Sequence, residues 1–294
     1  MSLSGNESTA KSSKESNSPL SVIIPGSELV ISETRKIVGD TEKRQDAAAE
    51  IAQKDPVIVM ELLKTANALA FTEGKPPITT PRGAIIRLGA TTTIEVLDKI
   101  KGFPKLANPD LSKLLEEVRN TCVKIAETAK LISGIKAQNL VEDCYTAGLL
   151  CNVGELIAVI HLTENFLKIV QENSNRSKVL YRLEKDHSFD IEKMSSSYLK
   201  RAGIPEGILF AIDKDMQTKT PNRAIMKLII ASSIELVMAF ESIRWDKIAP
   251  DKNLPPKSSL RMLSLSDSQY ESLYERAGEI LFKLDPAKAE LYKK

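Results

Sequence analysis

The chain has 294 residues, of which 42% are hydrophobic, 27% charged and 5% aromatic, with a formal net charge of +2. That length can bury one large core or two modest ones, and with so few aromatics the core must be built from Leu, Ile, Val and Ala. The nearly balanced charge gives no electrostatic reason for nucleic acid or an anionic membrane as the main partner, so neither is expected.

Residues 1–19 are Ser, Lys, Glu and Asn with almost nothing to bury, and read as a disordered tail. They carry no apolar stretch or cleavage signature, so no signal peptide is read there. No run approaches the roughly 18 apolar residues of a membrane span. The three cysteines, Cys122, Cys144 and Cys151, fit free thiols in a reducing cytoplasm. Along a continuous helix Cys144 and Cys151 would lie about 10.5 Å apart, too far for a disulfide. No CxxC or neighbouring His completes a metal site with them, and no cofactor is expected.

Pro19, Pro25 and Gly26 end the tail, and Ser27–Val38 and Thr41–Gln53 follow as two amphipathic helices. Asp55-Pro56 then starts a helix, Asp as its cap and Pro in its first position. Asn67 falls on its Met60/Leu63 side, either lining a ligand pocket or tying down the loop Thr72–Pro77; buried polar groups are usually satisfied, which favours the tie. Thr80-Pro81 opens the next helix by the same logic, Gly89 suits its C-terminal cap, and a second short helix runs from about Thr92 to Lys101. As a DNA-binding helix-turn-helix this pair is poor, because its second helix carries Glu95 and Asp98 and lacks the side chains that reach base edges.

Asn108-Pro109-Asp110 begins a long helix to about Ser133. Next comes Tyr145–Leu162, the most apolar helix-length run, expected to be a central helix covered on all sides. Gly148 and Gly154 within it each cost roughly 1 kcal/mol against Ala. They predict either close approach of another backbone or a kink between two shorter helices. Asn165–Gln171, Lys178–Lys185 and Ile191–Arg201 read as polar-faced helices, with His187 in a polar linker. A short helix follows Gly203-Ile204-Pro205, a long apolar one follows Thr220-Pro221, residues 246–259 read as a loop, and Ser266 and Asp267 cap a last helix to about Leu284. No segment alternates as a strand does, so the fold class is all-α.

Two passages carry a resemblance. DPVIVMELLKTANALAF with ITTPRGAIIRLGATTTIEVL resembles the HDOD domain, a helical bacterial signalling module related to the HD phosphohydrolases, through Asp55, Pro56, Leu63, Ala66, Asn67, Ile85, Leu88 and Gly89. Ala147-Gly148-Leu149-Leu150 with Val153-Gly154 is similar to that family's central helix, and YLKRAGIPEGILFAI to the stretch after it. The resemblance covers roughly residues 20–215, and 216–285 resemble a helical continuation. It implies one HDOD unit over 20–285, an N-terminal helical lobe to about 105 and an HD-like lobe after it, packed together across the short link Gly102–Pro109.

An HD enzyme of this class sets a His, a His-Asp pair and a further Asp around one or two metal ions, which lower the pKa of a bound water. By resemblance, the first His position is Thr121, the pair is Cys151-Asn152, the later His is Ile191, and a further position falls at Lys214 or Asp215. Glu155 stands where the family carries a basic residue. Neither His161 nor His187 is followed by Asp. The residues imply no catalytic or metal site, and a vestigial pocket at Thr121, Cys151, Asn152 and Ile191. Asp55, Pro56, Asn67, Leu88, Gly89 and Gly148 are expected to be structural. The implied role is a non-catalytic signalling protein that contacts a signalling kinase, a response regulator or cyclic-dinucleotide enzymes. The alternatives are a divergent metal-dependent phosphohydrolase, or a module that binds a nucleotide-like small ligand in the emptied cavity.

Overall fold

The structure is a computed structural model and describes residues 18–38, 44–74, 76–173, 175–217, 220–241 and 258–286; the expected tail therefore lies almost wholly outside the described residues. It is all-α, and no strand occurs among the described residues. The helices are α1 (Glu28–Val38), α2 (Arg44–Ala52), α3 (Pro56–Glu73), α4 (Pro81–Lys101), α5 (Pro109–Lys136), α6 (Val141–Leu150), α7 (Val153–Leu162), α8 (Glu164–Glu172), α9 (Arg176–His187), α10 (Ile191–Arg201), α11 (Glu206–Ile212), α12 (Pro221–Glu241), α13 (Ser259–Met262) and α14 (Asp267–Leu284).

Short-range chemistry sets most helix starts. The Asp55 carboxylate accepts from the Val57 and Ile58 amides at 2.7 and 3.3 Å, with Pro56 in the first turn where its missing N–H costs nothing. Thr80 accepts from the Gly83 amide, Asn108 from Asp110 and Leu111, and Ser266 forms a capping box with Gln269. Asp55 also reaches outside its own helix. Its second oxygen accepts from the Ser27 amide at 2.6 Å, and Arg119 Nε of α5 lies 3.4 Å away as an ion pair without hydrogen-bond geometry. Arg119 in turn donates to the Pro25 carbonyl, so one fully buried carboxylate joins the segment before α1, the start of α3 and the middle of α5.

The other motif residues make the following local contacts. The Asn67 amide donates to the Leu63 and Ile78 carbonyls and accepts from the Ile78 amide, each at 2.8 Å, which pins the loop before α4 one residue beyond the expected stretch. Leu88 is buried. Gly89 does not simply end a helix: its backbone sits at φ 70°, ψ 176°, and helical geometry resumes directly after it rather than at Thr92. That region is essentially open to glycine alone. Pro56 is buried beside Asp55.

The core surrounds α5, α6 and α7. Val57, Ile58, Leu62, Leu63 and Ala66 of α3, Leu149 and Leu150 of α6, and Leu156 and Ile157 of α7 belong to one apolar cluster. The expected central helix is two helices, which meet at Cys151-Asn152 rather than at either glycine. Both glycines serve close approach instead. A Cβ on Gly148 would lie 3.0 Å from the Ala126 Cα and 3.1 Å from the Ala129 Cβ of α5. A Cβ on Gly154 would overlap the Ile191 carbonyl oxygen at the start of α10, and the Gly154 amide donates to Ser195 Oγ at 2.7 Å.

Three expectations need correction. His187 is the last residue of α9, not part of a linker, because the helix is continuous from Arg176 and ends at Ser188 in a left-handed conformation. The expected loop at 246–259 lies mostly outside the described residues, and its final residue already begins α13. Finally, Gln138–Leu162 is long and apolar enough to cross a membrane, contrary to the reading of the sequence, but 83% of that window is buried within the fold.

Replacing Gly154 by Ala forces α7 and α10 apart. We expect Gly154→Ala to lower the unfolding free energy by about 3 kcal/mol, as for overpacking of a tight core contact, measured by urea denaturation. An effect below about 0.5 kcal/mol would show that the two helices tolerate a wider spacing.

Candidate functional site

Near the step between α6 and α7 lies a cavity of about 510 Å³ whose lining includes Glu117, Thr121 and Lys124 of α5, Glu155 of α7, Arg176 of α9, Glu241 of α12 and Asp285 just after α14. Asn152 heads α7, yet its side chain does not cap it. The amide instead donates to Glu155 Oε2 at 2.6 Å and accepts from Arg176 Nη2 at 3.2 Å, while Arg176 Nη2 also bonds the same Glu155 oxygen. The other guanidinium nitrogen, Nη1, lies 3.5 Å from Glu241 Oε2. Thr121 donates its hydroxyl to Glu241 Oε1 at 2.8 Å, with the Glu117 carbonyl oxygen at 3.2 Å.

Lys124 completes the cluster. Its ammonium is 3.0 Å from Asp285 Oδ2, 3.6 Å from Glu241 Oε1 and 5.5 Å from the centre of the Phe240 ring. Buried Lys124 and partly buried Arg176 are thus held by three carboxylates and one amide, and the Thr121 hydroxyl donates to one of those carboxylates. Burial pulls the Arg176 guanidinium down in pKa, but Glu155 and Glu241 more than offset this and hold it above its ordinary value. It stays charged at any pH the protein meets.

Cys151 stands beside this cluster as a thiol. It donates to the Gly148 carbonyl, and burial pushes its pKa up to about 12, partly offset by Arg176. Such a thiol is neither a nucleophile nor a ready metal ligand at neutral pH. Burial raises Cys144 to about 12 as well and lifts Cys122 well above its usual value.

The structure brings together only part of the expected pocket. Thr121 and Asn152 share the network and Cys151 adjoins it, but of the four only Thr121 lines the cavity; the Ile191 carbonyl packs against Gly154 and accepts from Ser195 Oγ. Lys214 is exposed and pairs with Asp190 and Glu192 instead, and Asp215 does not line the cavity. His161, in the last turn of α7, stacks on Phe189 with ring centres 6.4 Å apart. Among the described residues no group of three His, Cys, Asp or Glu is placed to hold a metal ion. A divalent ion does not fit this donor set, because a guanidinium already occupies the space between the carboxylates and each polar side chain of the step is committed to it.

Arg176, Lys124, Glu241 and Asp285 were not singled out from the sequence. One signal pointed toward them: Glu155 puts a carboxylate in a buried position where the family carries a basic residue, and a buried carboxylate requires a cation nearby.

A family model described as HDOD domain matches residues 24–218. No curated protein matches the chain significantly by sequence. Among solved structures, the MmoQ response regulator from Methylococcus capsulatus is similar with a TM-score of 0.63 at 15% identity, over 87% of this chain and 99% of that one. A virulence factor from Campylobacter jejuni subsp. jejuni gives 0.59 at 16% identity, over 87% and 94%. At these identities the likeness is one of fold.

Two outcomes test the site. Arg176→Met leaves Glu155 without its cation and Glu241 with Lys124 alone, and should cost about 3–5 kcal/mol of stability by denaturant titration; a cost under about 1 kcal/mol would show that solvent already screens the cluster. The thiol reagent DTNB at pH 8 should leave the native thiols unlabelled and label all of them in denaturant. Because the folded thiols hold their protons up to about pH 12, while unfolded ones ionise near 9, they stabilise the fold below about pH 9. That contribution is lost as pH rises from about 9 to 12.

Proposed function

We propose, for a chain that belongs to the HDOD domain family, a non-catalytic regulatory role exercised through contact with other proteins. The observation that carries this reading is the Arg176 guanidinium, fixed between Glu155 and Glu241 and bonded by Asn152. Where a hydrolase of the related class needs a Lewis acid with an open coordination position and an activated water, this chain supplies an organic cation that has neither. Cys151 and Thr121 take the places of the metal-binding histidines, and neither is ionised near neutral pH. With no group to generate a nucleophile at the step, the fold serves as a rigid surface.

The partners we propose are those of a bacterial cytoplasmic signalling system: a sensor kinase, a response regulator or an enzyme of cyclic-dinucleotide turnover. One protein of similar fold is itself described as a response regulator, which is compatible with this role. A metal-dependent phosphohydrolase remains the opposing reading, and it makes a different prediction. Purified protein with Mn²⁺ and bis(p-nitrophenyl) phosphate, and with a panel of nucleotides, should release no product above the buffer control. Turnover that disappears in Asn152→Ala would overturn the non-catalytic reading. In parallel, crosslinking in the native cell should yield contacts from a signalling protein that map to one exposed face; contacts scattered over the whole surface would count against a docking role.

A further inference from the structure

The cavity near the step is unbalanced in charge. Four carboxylates line it, Glu117, Glu155, Glu241 and Asp285, against two cations, Lys124 and Arg176, in a chain whose formal net charge is +2. Both cations are already spent: Lys124 serves Asp285 and Glu241, and Arg176 serves Glu155, Glu241 and Asn152. The oxygens are not. Glu155, with a side chain only 5% exposed, uses Oε2 for both Asn152 and Arg176, and its Oε1 has no hydrogen bond among the described residues. Asp285 gives Oδ2 to Lys124 and keeps Oδ1 open in the same sense. Asn120 and Asn173 turn their amide nitrogens to the Leu284 and Ile169 carbonyls, which leaves each Oδ1 to accept. The cation beside Glu117 is Lys113, 4.0 Å away, with both side chains largely exposed.

What the lining still offers is acceptors, and a buried carboxylate oxygen without a donor marks a place where a donor is missing. A cleft lined mainly by one sign of charge concentrates the opposite sign. The open oxygens lie at two depths, Glu155 buried and Glu117 60% exposed. Leu114, Val118, Val170 and Val179 supply apolar wall to the same cavity. Ammonium groups joined by methylene stems match this lining, because the stems pack on aliphatic side chains while the charged ends reach oxygens. A volume of about 510 Å³ lies within the range of small-molecule pockets. We infer that the cavity is a binding site for an aliphatic polyamine, one ammonium donating to Glu155 Oε1 and another to Glu117 and Asp285 Oδ1. Lys124 and Arg176 keep their partners throughout; they hold the carboxylates in place, and the ligand takes only the oxygens that the chain leaves over. The inference is independent of the protein-contact role proposed above.

The test titrates the full-length protein with spermidine at fixed ionic strength, by calorimetry and by thermal unfolding. Binding should saturate at a single spermidine per chain, and Tm should rise with spermidine concentration. Butylamine, with a single ammonium, should bind about tenfold more weakly or worse. Glu117→Gln/Asp285→Asn should weaken spermidine binding by about tenfold or more. Glu95→Gln, an exposed α4 residue that does not line the cavity, should leave it unchanged. No saturable binding to wild type, equal affinity for butylamine and spermidine, or equal spermidine affinity in wild type and double variant overturns the proposal. So does a loss in Glu95→Gln as large as that in the double variant. If the double variant does not fold, Glu117→Gln alone decides it. That side chain is largely exposed, and its neutralisation should weaken spermidine binding by about threefold or more; no change overturns the proposal.

Discussion

The distance between α5 and α6 is set by the absence of a single side chain. At Gly148 the two backbones approach so closely that even a methyl group would press on Ala126 and Ala129. Gly154 does the same between α7 and the start of α10. Thr121 and Lys124 sit on α5, five residues before Ala126 and Ala129 respectively, Asn152 sits at the step beyond Gly148, and Glu155 sits in the first turn of α7. Hydrogen bonds of 2.6–3.2 Å across this group require backbones fixed to within a few tenths of an ångström, and close packing of small residues provides that.

Charges at such a site are not there for stability alone. Removing two cations and three carboxylates from water is costly, and their mutual attraction repays it only when geometry and hydrogen bonding are good. A well-packed apolar cluster of similar volume would often be as stable. What the ionic cluster supplies is a requirement for particular partners at particular places. Glu155 satisfies Arg176 from α7, Glu241 from α12, and Asp285 reaches Lys124 from beyond α14. Alternative seatings of the last helices would leave a buried charge unmatched.

The sequence made the local features legible and the long-range ones obscure. Asp55-Pro56, Thr80-Pro81, Asn108-Pro109 and Ser266 each announced a helix start, because a cap and its amides lie within three residues. Asn67 was readable for the same reason, as a polar residue on an apolar face beside a loop. The break at Cys151-Asn152 was hidden, since apolar residues continue on both sides and the glycines drew attention elsewhere. Arg176 and Lys124 were invisible as buried cations. A charged residue on a helix ordinarily reads as solvated, and nothing in the nearby sequence reveals that a carboxylate from another helix faces it. Ile191 was placed in the pocket by resemblance, but α10 turns it toward Gly154.

A stretch of six residues on α5 holds both ends of the described chain. Arg119 binds the Pro25 carbonyl, 94 positions away, and Asn120 binds that of Leu284, 164 away. Thr121 and Lys124 take Glu241 and Asp285 at separations of 120 and 161. These contacts close long loops, and the entropy of closure must be met before they form, so they are expected to form late in folding. The same arrangement works in reverse. Loosening the last turn of α14 exposes the middle of α5, and with it the seat of the segment before α1. The Pro25 and Leu284 contacts therefore depend on the same short stretch of α5, and the described helices are expected to unfold as a single cooperative unit.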